Sequence, residues 1–233
     1  MNRILHSLTY HSKRVLFEYF AVPRVRQMDI SKVYFKNYLP KSPVIIDCGA
    51  HIGDDSRSLI KFLKGTVHSF EPVEELYARL KQNTSAYKNI FTYKLALSDC
   101  NGTSEFYVSE GESDGSSSLL PPLLHLKDHP RTLFRKKIIV ETKTLDSWAS
   151  ENNITNIDLL WLDMQGFEMN MLQASNKILD TVKLIHTEVS TRETYKGVGL
   201  YNEYKKFLES KGFKVLVEAI PKNWDMGNVL FIK

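Results

Sequence analysis

The chain has 233 residues, 42% hydrophobic and 25% charged, enough for one sizeable core and unlike a disordered or fibrous chain. Lys and Arg total 31 against 27 Asp and Glu, and a formal charge of +4 is too mild to call for a nucleic-acid partner. Two cysteines, Cys48 and Cys100, cannot make a disulfide scaffold, and no Cys/His spacing suits structural zinc.

The start, Met1-Asn2-Arg3-Ile4-Leu5-His6, lacks the apolar run of a signal peptide, and no stretch approaches the roughly 20 apolar residues of a membrane span. The expectation is a soluble, cytoplasmic protein with reduced thiols. Residues 1–40 mix Arg3, His6, Lys13 and Arg14 with Ile4, Leu5, Leu8, Leu16 and Phe17, the pattern of amphipathic helices broken near Pro23. They read as a helical cap on a main domain at 41–233, with peripheral contact to a membrane surface or a partner as the alternative.

From Pro43 onward, short apolar runs alternate with helical patterns. Val44-Ile45-Ile46 runs into a glycine turn, Asp47-Cys48-Gly49-Ala50-His51-Ile52-Gly53, and a helix with Leu59, Phe62 and Leu63 follows. Thr66 to Phe70 reads as a strand ending at Glu71-Pro72, Val73 to Asn83 as a helix, and Ile90 to Leu97 as a third strand. Ser104 to Val108 and Ile138 to Lys143 read as strands around a polar stretch, Ser109 to Ser118, too polar and glycine-rich for core. That stretch is either a plain loop or a lid.

Leu145 to Asn152 is expected to be helical, Ile157 to Leu162 a buried strand, Glu168 to Leu179 a helix and Val182 to Val189 a strand. Tyr201 to Lys211 reads as a helix closed by Gly212, before two strands, Phe213 to Ala219 and Val229 to Ile232, most simply antiparallel. This order predicts an α/β fold: a Rossmann-like, mostly parallel seven-stranded sheet with a closing antiparallel hairpin.

In such sheets ligands sit beyond the carboxyl ends of the strands. A dinucleotide fingerprint wants Gly-x-Gly-x-x-Gly; here His51 stands where the second glycine would be, which disfavours a nicotinamide cofactor. Asp47 suits a ligand with an ammonium group, and Glu71 can accept two hydrogen bonds from a ribose diol. Ala96-Leu97-Ser98-Asp99 is placed to frame a purine. An acid on each of the first two strands, without a phosphate-binding triple glycine, points to S-adenosylmethionine.

With these residues in view, the chain resembles the FkbM-type methyltransferases over roughly residues 43–233. The resemblance rests on Val44 through Asp54, Phe70-Glu71-Pro72, Ala96-Leu97-Ser98-Asp99, Thr144-Leu145-Asp146, Ile157 through Glu168, and Gly227-Asn228-Val229-Leu230-Phe231. It implies a class I methyltransferase fold that methylates a hydroxyl oxygen from S-adenosylmethionine, with characterised relatives acting on sugars or natural products. The expected cofactor contacts are Asp47, Gly49, Ala50, Gly53, Glu71, Pro72, Ala96, Leu97, Ser98, Asp163 and Met164. The family pattern Lys-x-Asp-x-Glu-Gly reads here Trp161-Leu162-Asp163-Met164-Gln165-Gly166, so Gln165 replaces a carboxylate and Trp161 a charge.

An alcohol nucleophile must lose its proton as the oxygen attacks. Asp163, ending the central fourth strand, is the first candidate base; its bland alternative is to orient the cofactor or cap the next helix. His186 and Glu188 share a sheet face, Glu188 being the second catalytic candidate and His186 reading as a buried core histidine. Asp163 and Glu188 also suit a divalent cation, though nothing in the spacing demands one. Arg131, Arg135, Lys136 and Lys137 read as a solvated basic face or an anion site, and Tyr195, Trp224 and Asp225 as loop residues able to meet a sugar. The expected acceptor is a sugar hydroxyl, with a small natural product or a non-catalytic interaction module as alternatives. The charge, and the lack of an Asn/Asp-Pro-Pro-Tyr/Phe motif, argue against a nucleic-acid methyltransferase.

Overall fold

Strand β1 (Val44–Cys48) is buried almost throughout, because it lies at the centre of a sheet covered on both faces. The computed structural model describes residues 34–222 and 224–233, so most of the expected N-terminal cap, with any membrane or partner contact it makes, lies outside the described residues. Residues 34–38 are helical, and Phe35 is fully buried edge-on to Trp161, so this end of the segment belongs to the core.

After β1 come α1 (Asp54–Leu63), β2 (Thr66–Phe70), α2 (Glu74–Thr84) and β3 (Ile90–Tyr93). Helix α1 buries Leu59, Ile60 and Leu63 and carries Asp54 and Asp55 in its first turn, where the helix dipole favours negative charge. The second half continues through α4 (Leu145–Glu151), β7 (Leu159–Leu162), α5 (Glu168–Gln173), β8 (Leu184–Ser190), α6 (Tyr201–Ser210), β9 (Lys214–Ala219) and β10 (Met226–Ile232).

The main sheet has the seven strands that the sequence pattern predicts, and the structure sets them in the order β3-β2-β1-β7-β8-β10-β9. All its pairs are parallel except those of β10, which runs antiparallel to both β8 and β9. The reversed strand is thus wedged inside the sheet and the hairpin's first strand takes the edge. Gly212 has φ 88, and Phe213 donates to the Leu208 carbonyl, the expected left-handed helix stop. Among the described residues, no helix is long and apolar enough to cross a membrane.

Three expectations are corrected. The strand expected over Ile90–Leu97 is two: β3 in the main sheet and β4 (Ala96–Leu97), which leaves it to pair with β6 (Thr132–Lys143). Leu95, Ala96 and Leu97 are all buried, a run that cannot alternate between core and solvent, so the chain bends inward between two sheets. With β5 (Gly102–Gly111), these strands make a second sheet, β4-β6-β5.

The helix expected over Glu168–Leu179 stops at Gln173, and a separate 3-10 turn covers Ile178–Thr181. Asp146 accepts hydrogen bonds from the amides of Lys177 and Ile178, which starts the new turn, while the Ser175 hydroxyl bonds back to the Met171 carbonyl. The polar stretch Ser109–Ser118 is partly core: Ser109, Ser116 and Ser118 are buried. Their polarity is met locally, since the Ser109 hydroxyl accepts from the Ser116 amide and the Ser117 hydroxyl from the Ser109 amide, each at 2.9 Å. A short helix, α3 (His125–Asp128), lies between this stretch and β6.

Candidate functional site

The order of the sheet reverses between β1 and β7, and a cleft opens beyond the carboxyl ends of those strands. Its empty volume is about 570 Å3 with the open mouth included. On the β1 side the floor is Gly49, at φ 78, where a Cβ would stand 1.9 Å from the Asp163 carbonyl oxygen. Only glycine lets β1 and β7 close this way.

Glu71 follows β2 and is held by main chain. The His51 amide donates to its Oε2 at 3.1 Å and the Val73 amide to its Oε1 at 2.8 Å, leaving each oxygen a second lone pair. Burial pushes its pKa up to about 7 against the pull of those two amides. Pro72, Ala96, Leu97 and Met164 also line the cleft, beside Leu76 and Phe106.

Asp47, Ala50, Gly53 and Ser98, also expected as cofactor contacts, stand next to lining residues and are not themselves among those that line it. Asp47 is 1% exposed, takes the Ser56 hydroxyl at 2.5 Å, and burial pushes its pKa up to about 8. Gly53, at φ 86, serves the turn instead: a Cβ there would meet Leu80 Cδ1 at 2.7 Å.

On the other side Asp163 lines the cleft and Glu188 lines an adjoining pocket of about 270 Å3 with Glu168, Ser190 and Tyr204. Parallel pairing sets Trp161 opposite His186 and Leu162 opposite Thr187, so Asp163 and Glu188, one step on, emerge side by side. Both carboxyls are raised by burial, and Glu188 further by the charge of Asp163. Glu168 is pushed up to about 7 by burial and accepts from the Met164 amide at 2.7 Å. His186 is the core residue expected: its ring stacks on Trp161 at 3.7 Å and burial lowers its pKa to about 3.

Gln165, set aside in the sequence as unable to act as a base, joins the two acids. Its Nε2 donates to Asp163 Oδ1 at 2.7 Å and to Glu188 Oε2 at 3.3 Å. The Tyr195 hydroxyl lies 3.2 Å from Gln165 Oε1 and 2.7 Å from the Ser116 carbonyl oxygen. Tyr195 is fully buried, which corrects its expected role of meeting a sugar. Asp225 pairs with Arg192, and Trp224 is 67% exposed.

The stretch 109–118 covers the cleft, with Gly115 and Ser117 in its lining. Asp114 lies 3.0 Å from His51 Nε2, out of line for a hydrogen bond, and 3.6 Å from the Arg79 guanidinium. Of the two readings of this stretch, the lid fits its position. The basic run is no open anion site: Arg131, Arg135, Lys136 and Lys137 pair with Glu112, Glu110, Glu75 and Glu105.

A family model described as the methyltransferase FkbM domain matches residues 47–215, which contain every residue of this site. The chain belongs to the FkbM methyltransferase family. It is 34% identical over 161 residues to 2-O-methyltransferase NoeI of Sinorhizobium fredii, a match covering 66% of each protein. This FkbM chain thus spans just under two thirds of that relative's length. In fold it is similar to the magnesium protoporphyrin IX methyltransferase of Synechocystis, solved with bound SAM, at 11% identity and TM-score 0.50 over 97% of this chain and 98% of that one. It is similar also to fibrillarin of Methanococcus jannaschii, at 14% identity and TM-score 0.50 over 82% of this chain and 66% of that one. The sheet order and the single reversed strand β10 agree with that class I methyltransferase fold.

Proposed function

We propose that this chain is an S-adenosylmethionine-dependent O-methyltransferase whose acceptor is a sugar hydroxyl. The observation that carries the reading is a cleft lined by a backbone-anchored Glu71 and by Asp163, with Glu188 of the second pocket tied to Asp163 through Gln165. The donor fits the residues present: Leu97 and Phe106 offer apolar walls to a purine, and Glu71 keeps lone pairs for a ribose diol. Burial raises the pKa of Asp47, Glu71 and Asp163, and a cationic sulfonium and ammonium bound beside them would favour their ionised forms.

When bound, the cofactor supplies an electrophilic methyl carbon on sulfur. The chain's residues then orient and exclude water, while the acceptor hydroxyl approaches from the Glu188 side. As the acceptor oxygen takes up the methyl group, its hydroxyl proton would pass to Asp163 as general base. Transfer to oxygen is supported by the name of the relative, a 2-O-methyltransferase. The sugar rests on the family resemblance.

Calorimetric titration with S-adenosylhomocysteine, with NADH as control, tests the donor. Micromolar binding of the former alone supports the reading, and no binding by folded protein would sink it. With a sugar acceptor found by screening, Asp163→Asn is expected to lower turnover at least about a hundredfold while sparing cofactor affinity. Unchanged turnover would remove Asp163 as the base.

A further inference from the structure

We propose that Gln165 takes the place of a bridging cation between Asp163 and Glu188, so that this site works without a divalent metal. The inference rests on the methyltransferase reading for its purpose but on geometry for its content. Two carboxylates at neighbouring strand ends repel unless a proton, a cation or a hydrogen-bond donor lies between them. Here the donor is the Gln165 amide nitrogen, 2.7 Å from Asp163 Oδ1 and 3.3 Å from Glu188 Oε2. One NH2 group has one hydrogen for each acid.

The network fixes which way the amide points. Its oxygen lies 3.2 Å from the Tyr195 hydroxyl, whose single proton points more closely to the Ser116 carbonyl at 2.7 Å. The acids set the orientation, since a flipped amide would turn its carbonyl toward both carboxyls. The backbone is held as firmly. Gln165 sits at φ 54, a left-handed conformation costly to a residue with a Cβ, and its carbonyl accepts the Ser118 hydroxyl at 2.8 Å. Among the described residues, no group of three or more His, Cys, Asp or Glu side chains is placed to hold a metal ion. Two acids with an amide donor between them offer a hard cation no entry. Three acids would invite one.

The probe is Mn2+, followed by loss of the free-ion electron paramagnetic resonance signal, on the full chain and its variants. Wild-type protein is expected to show no saturable binding below about 1 mM. Gln165→Glu, which adds a third carboxylate, is expected to bind at least about tenfold tighter, and Glu188→Gln in that background to abolish the gain. Gln165→Ala, which vacates the position, should fall between wild type and Gln165→Glu. It decides the matter if Gln165→Glu lacks a cooperative melting transition. Wild-type binding as tight as that of Gln165→Glu overturns the inference, and so does no gain in either folded variant. Failure of S-adenosylhomocysteine to bind wild type overturns the functional reading alone, because the Mn2+ order is read without it.

Discussion

At the ends of β1 and β2 the cleft is held by main chain: Glu71 is gripped by the amides of His51 and Val73, and Gly49 lies against the Asp163 carbonyl. At the ends of β7 and β8 it is held by side chains: Gln165 bridges Asp163 and Glu188, and Tyr195 ties Gln165 to the carbonyl of Ser116. The first half depends on backbone groups, the amides of the turns that grip Glu71 and the approach of β1 to β7 at Gly49. The second depends on contacts between residues up to 79 positions apart. The β1 and β2 half is therefore the stiff one, where a change breaks the backbone itself, and the β7 and β8 half is open to change one side chain at a time. On the proposed function the first takes the cofactor and the second the acceptor.

The comparison is broken most severely at Gly49. Gly49→Ala puts a Cβ into the Asp163 carbonyl at a positive φ, and should cost more than about 3 kcal/mol in thermal or denaturant unfolding and remove S-adenosylhomocysteine binding. A stable variant that still binds would show that the close approach of β1 and β7 is not required.

Next is Glu71→Ala, which strips the ribose acceptor and leaves the amides of His51 and Val73 unmet. Calorimetry should show affinity for S-adenosylhomocysteine falling about tenfold to a hundredfold. An unchanged affinity would move the ribose elsewhere.

The buried acids give a pH signature. Asp47 has its folded pKa raised from 3.8 to about 8, so the protonated form is favoured by folding. Its contribution to stability is fully present below pH 3.8 and is lost as pH rises through about 8. Glu71, raised from 4.5 to about 7, acts in the same direction over a narrower window. The melting temperature should therefore fall as pH climbs from 5 to 8.5, and Asp47→Asn should flatten the slope, raising Tm at pH 8.5 by about 3–6 °C over wild type. Parallel melting curves for the two proteins would place the cost elsewhere.

The smallest effect belongs to Tyr195→Phe, which removes one hydroxyl from the acceptor half. Urea unfolding should register a loss of about 1 kcal/mol, far below that of Gly49→Ala. A loss equal to that of Gly49→Ala would mean that the side-chain half is as stiff as the main-chain half.

The cleft residues Gly49, Glu71 and Leu97 were legible because periodicity and strand ends place them where a parallel sheet presents its ligand. Asp47 was legible as an acid on the first strand, but its partner, the Ser56 hydroxyl, was not. The break between β3 and β4 was hidden because an apolar run fits one strand as well as two, and only the pairing of Ala96 with Thr142 separates them. The partners of Gln165 and Tyr195 were hidden in the same way. Residue type shows what a side chain is able to donate or accept, whereas its partner is chosen by folding.

By itself the sequence determined the alternation of strands and helices, the seven-stranded sheet and the glycine turn after β1, which follow from local pattern and spacing, and the family, through the resemblance of its motifs. Only the tertiary structure decided that β4 leaves the main sheet, that the serine stretch folds over the cleft, and that an amide stands between Asp163 and Glu188. Those features are contacts between distant residues, and they exist only after the packing of the sheets has brought the partners within a hydrogen bond of one another.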